Sequence, residues 1–175
     1  FFSSRRRHTR LLTGTGVQTC ALPICWGRPL PAGRARGLAL HESFGTVVAL
    51  VLEVSVLQGR PRVHRAVCAL DCGTVLNPVG VAQQVEGSIV FGLGAALDGR
   101  IDIVGGEVQA RNFPQQMPLT LRETPVIETH WVESTRAPSG MGEPAVPPVA
   151  PALANALFTL TGQRLRELPL RLAPA

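Results

Sequence analysis

"TVVALVLEVSVLQGRPRVHRAVCALD", residues 46–71, is the stretch whose reading decides the fold class. Residues 46–56 are dense in Val and Leu and read as a strand. "LQGRPR" supplies turn residues, and residues 63–71 read as a second, antiparallel strand. Alternation places Val63, Arg65, Val67, Ala69 and Asp71 on one face. His64, Ala66, Cys68, Leu70 and Cys72 take the other.

Working downstream, Pro78 opens a helix to about Ala96, with Val81, Val85, Ile89 and Leu93 near helical spacing. Its tail, "GLGAALDG", is rich enough in glycine to end it early. "DGR" and "GGE" bracket "IDIV" as a hairpin. "NFPQQMP" is irregular because of its prolines, residues 125–133 alternate as a strand, and "STRAPSGMGEP" is a loop. Val149–Thr161 forms a second helix closed by Gly162, and "RLRELPLRL" ends as a short strand or coil. Upstream, "GLAL" is short and apolar, "HESFG" is a connection, and residues 25–36 are linker or the torn edge of a larger domain. The predicted class is α+β, with a few antiparallel strands and two main helices in a domain over residues 37–175.

The net charge of +5 invites a nucleic-acid reading, but its distribution does not support one. Four of the seventeen arginines are Arg5, Arg6, Arg7 and Arg10, which leaves thirteen against twelve acids beyond residue 24. Aromatic content is 5% with no tyrosine, so bases would find few stacking platforms. No run of about 18 apolar residues is present to span a bilayer. Residues 1–24 fit no structural template, and they lack the apolar core of a signal peptide. "SRRRHTR" and "VQTCALPI" resemble conceptual translations of short-read sequencing adapters. The expectation is a non-native segment and a truncated reading frame.

The informative chemistry lies in "SGMGEPAVPPVAPALANALF". Gly140 and Gly142 allow the backbone to approach a ligand closely. Glu143 is the one acid between Glu133 and Glu167, and Pro144, Pro147, Pro148 and Pro151 stiffen the approach to the helix behind it. A carboxylate there is placed to serve as a general base; the plainer alternative is a helix cap on a solvated loop. In "AQQVEGSIVFGLG", Gln84 and Glu86 sit on a helix ahead of Gly87. A glutamine amide both donates and accepts, which suits a heterocycle edge; the plainer alternative, which the pattern alone favours, is an amphipathic helix with these residues facing water. Asp71 and Asn77 read as turn-formers, and Cys68 and Cys72 as small core residues. His64 and His130 read as structural. No zinc, phosphate-loop, dinucleotide or serine-elbow motif is present.

Three blocks carry a resemblance: "GRARGLALHESFGTVVALVLEVSV", "VHRAVCALDCGTVLNPVGVAQQVEGSIVFGLGAAL" and "GMGEPAVPPVAPALANALFTLTGQRLRELPL". Together they resemble the carboxyl-terminal molybdopterin-binding region of the xanthine oxidase family, in particular the beta subunits of isoquinoline 1-oxidoreductases and the large subunits of aldehyde oxidases. The resemblance implies a molybdenum hydroxylase acting on an aldehyde or an N-heterocycle. It implies Glu143 as the catalytic base, with Gln84 and Gly142 as the molybdopterin contacts. It further implies that the metal is held by the cofactor's own sulfurs, with no protein metal ligand. An iron–sulfur subunit is the expected electron-transfer partner, since the four cysteines here lack cluster spacing. The fragment alone is expected to be inactive. The competing readings are a non-catalytic interaction module and a basic-arm nucleic-acid binder.

Overall fold

The computed structural model describes residues 29–173. In chain order it contains β1 (Arg34–Ser43), β2 (Thr46–Leu57), β3 (Arg60–Asp71) and α1 (Pro78–Leu97). There follow β4 (Ile103–Val104), β5 (Glu107–Val108), a 3-10 turn at Phe113–Gln115, β6 (Val126–Trp131) and α2 (Val149–Thr161). The class is α+β, as expected, and α2 has the expected bounds. The expectations for residues 1–24, the basic arm included, lie outside the described residues.

Two tight hairpins build the sheet. Ser43 pairs with Thr46 and Leu57 with Arg60. Phe44 and Gly45 between the first pair, and Gln58 and Gly59 between the second, all have positive φ. Such two-residue turns match the twist of the flanking strands. "HESFG" is therefore a connection only at Phe44–Gly45, because His41 and Ser43 already pair with Val48 and Thr46.

Three further expectations need correction. First, β1 starts at Arg34, inside the stretch expected to be linker. Gly37 is a packing point: a Cβ there would lie 1.9 Å from the Ala152 carbonyl oxygen and 2.5 Å from the Ala156 nitrogen. The missing side chain lets α2 rest directly on the strand, where the Asn155 amide donates to the Leu38 carbonyl at 3.0 Å. Second, the sheet is not wholly antiparallel. Its order is β1-β2-β3-β6, and β6 runs parallel to β3. Parallel neighbours need a long crossover, and the segment containing α1 supplies it. Third, the face assignment of β3 fails at one end. The register shifts beside Glu53, so that Glu53 pairs with Arg65 and Val54 with Val63. His64 is the extra residue of the bulge, and the shift turns Val63 into the core. Its ring shares a 2.8 Å hydrogen bond with the Ser55 hydroxyl. Burial, then Arg34 and Arg62, hold its pKa below the usual histidine value.

Both helices cover one face of the sheet. Val48, Leu50, Leu52 and Val54 of β2 meet Ala66, Cys68 and Leu70 of β3 in a common core with the helices. The helices contribute Val85, Ile89 and Leu93 from α1 and Val149, Leu153 and Leu157 from α2. Each such Leu, Ile or Val contributes about 1.5–3 kcal/mol when fully buried. The glycine-rich tail of α1 does not end the helix. At Gly92 an added Cβ would lie 2.8 Å from a Val149 methyl, so this glycine brings α2 in close. On the opposite face Arg65 grips Glu128 of β6 through two hydrogen bonds of 2.5 and 2.7 Å.

Candidate functional site

The carboxyl end of β3, the start of α1 and the loop after β6 meet around a cavity of about 330 Å³. Cys72, Asn77, Val81 and Gln84 line one side, and Ser139, Met141 and Gly142 line the other. Volumes of this order suffice for a small ligand. Asn77 is the N-cap of α1, its side-chain oxygen accepting from the Gly80 nitrogen at 2.9 Å. The helix start is thus anchored. Gln84 then projects one and a half turns in, on an exposed part of the helix, and its side chain makes no hydrogen bond with described residues.

The loop that carries Gly142 is tied along its length. The Cys72 carbonyl accepts from the Ser139 nitrogen at 2.9 Å. Thr74 donates its hydroxyl to the Arg136 carbonyl at 2.7 Å. Arg136 reaches back to pair with Asp71, which is buried and also accepts from the Gly73 nitrogen at 3.3 Å. Gly73 has φ +73°, and a Cβ there would lie 2.2 Å from the Ala137 carbonyl oxygen, so only glycine fits. On α1, one turn beyond Gln84, Ser88 donates to the Gly142 carbonyl at 3.4 Å. The loop is thereby held against the glutamine-bearing helix.

The two glycines before Glu143 do different things. A Cβ at Gly140 would lie 2.6 Å from the Phe44 Cβ, so its close approach is to the β1–β2 turn and not to a ligand. Gly142 has nothing within 4 Å of that position and opens on the cavity. Glu143 follows it, exposed, its side chain bonded to none of the described residues. It does not cap the helix. α2 begins at Val149 behind Pro148, without a side-chain cap, and Glu143 only accepts at its main-chain oxygen from the Val146 nitrogen at 3.0 Å.

Asn77 and Asp71 bond to backbone as their sequence context predicted, and Cys68 and Cys72 are buried. Reading the sequence missed the Arg136 partner of Asp71, 65 residues away, and the place of Cys72 and Met141 in the cavity wall. Burial pushes the Cys72 thiol up from its ordinary pKa and keeps it protonated. Among the described residues no three His, Cys, Asp or Glu side chains are grouped to hold a metal ion. The lining carries no charged side chain. Of its two side-chain amides, Asn77 is engaged in capping α1 and Gln84 keeps both hydrogen-bonding roles; beside them lie exposed main chain at Gly142 and apolar walls at Val75, Leu76 and Val81. That donor set fits a neutral, planar heterocycle with a polar edge.

The family described as "Molybdopterin cofactor-binding domain" matches residues 32–125. The chain belongs to that family. Gln84 lies inside the matched span, and Glu143 lies beyond it. Over 164 residues this chain is 38% identical to the isoquinoline 1-oxidoreductase subunit beta of Brevundimonas diminuta, covering 91% of the chain and 21% of that protein. Over 155 residues it is 35% identical to a protein of Gluconacetobacter polyoxogenes named membrane-bound aldehyde dehydrogenase [pyrroloquinoline-quinone], covering 85% of the chain and 20% of that protein. Quinoline 2-oxidoreductase from Pseudomonas putida 86 shares the fold with a TM-score of 0.62 at 22% identity, covering 71% of the chain and 17% of the solved one. The chain thus spans about a fifth of the length of these relatives. No helix of the described residues is long and apolar enough to cross a membrane.

Proposed function

We propose that this chain is the carboxyl-terminal part of the large subunit of a molybdenum hydroxylase, and that its parent oxidises an aldehyde or hydroxylates an N-heterocycle. The observation that carries the proposal is the single cavity lined by both Gln84 and Gly142, with Glu143 next in the chain. When bound, molybdopterin supplies the redox centre that receives the substrate's electrons. The chain's own residues bind and orient. The Gln84 amide would hold the pterin by hydrogen bonds, and Gly142, without a side chain, would let the cofactor approach the main chain.

Glu143 is the proton acceptor. Its carboxylate has no competing partner among the described residues, so it is free to take a proton as the substrate is attacked. Molybdopterin is bound jointly with the missing remainder of the subunit, so the isolated chain is inactive. Electrons leave through an iron–sulfur partner subunit. In the full-length parent, Glu143→Gln is expected to lower turnover by several orders of magnitude with the molybdenum content unchanged. Near-normal turnover in that variant would overturn the assignment.

A further inference from the structure

The turn between β1 and β2 touches the Gly-Met-Gly-Glu loop at every level. Thr46 is fully buried, and its hydroxyl donates to the Gly140 carbonyl at 2.7 Å. A hydroxyl has one proton, so the second 2.7 Å contact of the same oxygen must be a bond donated by Ser139. The Gly140 nitrogen in turn donates to the Phe44 carbonyl at 3.0 Å. Phe44 also fills the space where a Gly140 side chain would stand, and a Cβ at Gly45 would come within 3.3 Å of the Ser139 Cβ. Phe44, Gly45 and Thr46 are more than ninety residues away in sequence, yet they hold the two residues that lead into Met141, Gly142 and Glu143.

We infer that Thr46 is a positioning residue for Glu143: the hydroxyl pair of buried Thr46 and half-buried Ser139, with the Phe44–Gly140 main-chain bond, clamps the loop and sets where the carboxylate stands. The clamp is a property of this chain, but its catalytic consequence rests on the proposed role of Glu143. Thr46→Val keeps the shape and deletes the hydroxyl; Thr46→Ser keeps the hydroxyl. A buried hydrogen bond contributes about 1 kcal/mol net. In the 175-residue chain, Thr46→Val loses two such bonds and should therefore speed amide hydrogen exchange at Ser139 and Gly140 about thirtyfold, leaving Cys68 in β3 unchanged. Thr46→Ser should match the unaltered chain. Ser139→Ala removes only the hydroxyl–hydroxyl bond, from the loop side, and covers the case in which Thr46→Val unfolds β2. It should speed exchange several-fold.

In the full-length parent, Thr46→Val should lower kcat about tenfold with KM and molybdenum content unchanged, and Thr46→Ser should restore it. Unaltered exchange in Ser139→Ala would overturn the clamp. Faster exchange in Thr46→Val with kcat unaffected would overturn its catalytic consequence. Glu143→Gln serves as the separating control, because it should leave loop exchange untouched. If that variant retains turnover, the base assignment falls, while the exchange data still judge the clamp.

Discussion

Two irregular stretches of this molecule, residues 101–123 and residues 132–142, look alike in sequence and are held in opposite ways. Both are rich in Gly and Pro, and both are largely exposed. In the first, the hydrogen bonds are local: Gln109 to Asp102, Arg111 and Asn112 to Gln115, Glu123 to Thr120. Among the described residues the exceptions are the Arg122 carbonyl, which takes a bond from Arg62, and the apolar contact of Leu119 with the core. Phe113 and Leu121 project into solvent. The second stretch bonds mainly to distant strand and helix ends, at Phe44, Thr46, Leu70, Asp71, Cys72, Thr74 and Ser88. Exposure therefore does not decide whether a loop is anchored to the rest of the fold. Partners contributed by rigid elements do, and here they serve the stretch that leads into the candidate base.

The largest break of this contrast should come at Gly73. Gly73→Ala forces a side chain into a left-handed conformation and against the Ala137 carbonyl. The expected loss is about 3 kcal/mol, read by denaturant unfolding. A smaller effect sharpens the comparison through pH. Glu128 of β6, just ahead of the pinned loop, is held below the usual carboxylate pKa by its hydrogen bonds to Arg65. Glu123, at the end of the locally bonded stretch, is lowered chiefly by the Thr120 hydroxyl and then by the Thr120 main chain. A depressed carboxylate adds stability that is whole above its unfolded pKa, about 4.5, and is lost as pH falls through the folded value. The Arg65 partner is remote in sequence and disappears on unfolding, whereas the Thr120 partner stays three residues away. Glu128→Gln should therefore flatten the acid side of the stability–pH curve, by under about 1 kcal/mol since the pair is partly exposed. Glu123→Gln should flatten it less. Equal changes in the two variants would contradict the distinction between remote and local anchoring.

Much of the fold was legible because its signals are local. The Val- and Leu-rich run from Thr46 and the Ala- and Leu-rich helix closed by Gly162 declare themselves by period and punctuation. What was not legible depends on residues far apart in the chain. Gly37 looks like linker glycine until Ala152 and Ala156 are seen above it. The parallel pairing of β6 with β3 is settled by a crossover, not by any residue in either strand. The His64 bulge moves Val63 to the core without leaving a turn signal in the sequence. At the site, Gln84 and Glu143 stood out through their surrounding blocks. The cavity that Gln84 and Gly142 share with Cys72 and Met141, and the hold of Thr46 on the loop, arise only when three segments converge. A threonine at the head of a strand reads as ordinary β-propensity.

The most direct test of the account is a structure of the full-length parent with its molybdopterin bound. The Gln84 amide and the Gly142 main chain are expected against the pterin, and the Glu143 carboxylate turned toward the metal. A carboxylate turned away from that cavity, with the cofactor seated elsewhere, would contradict it.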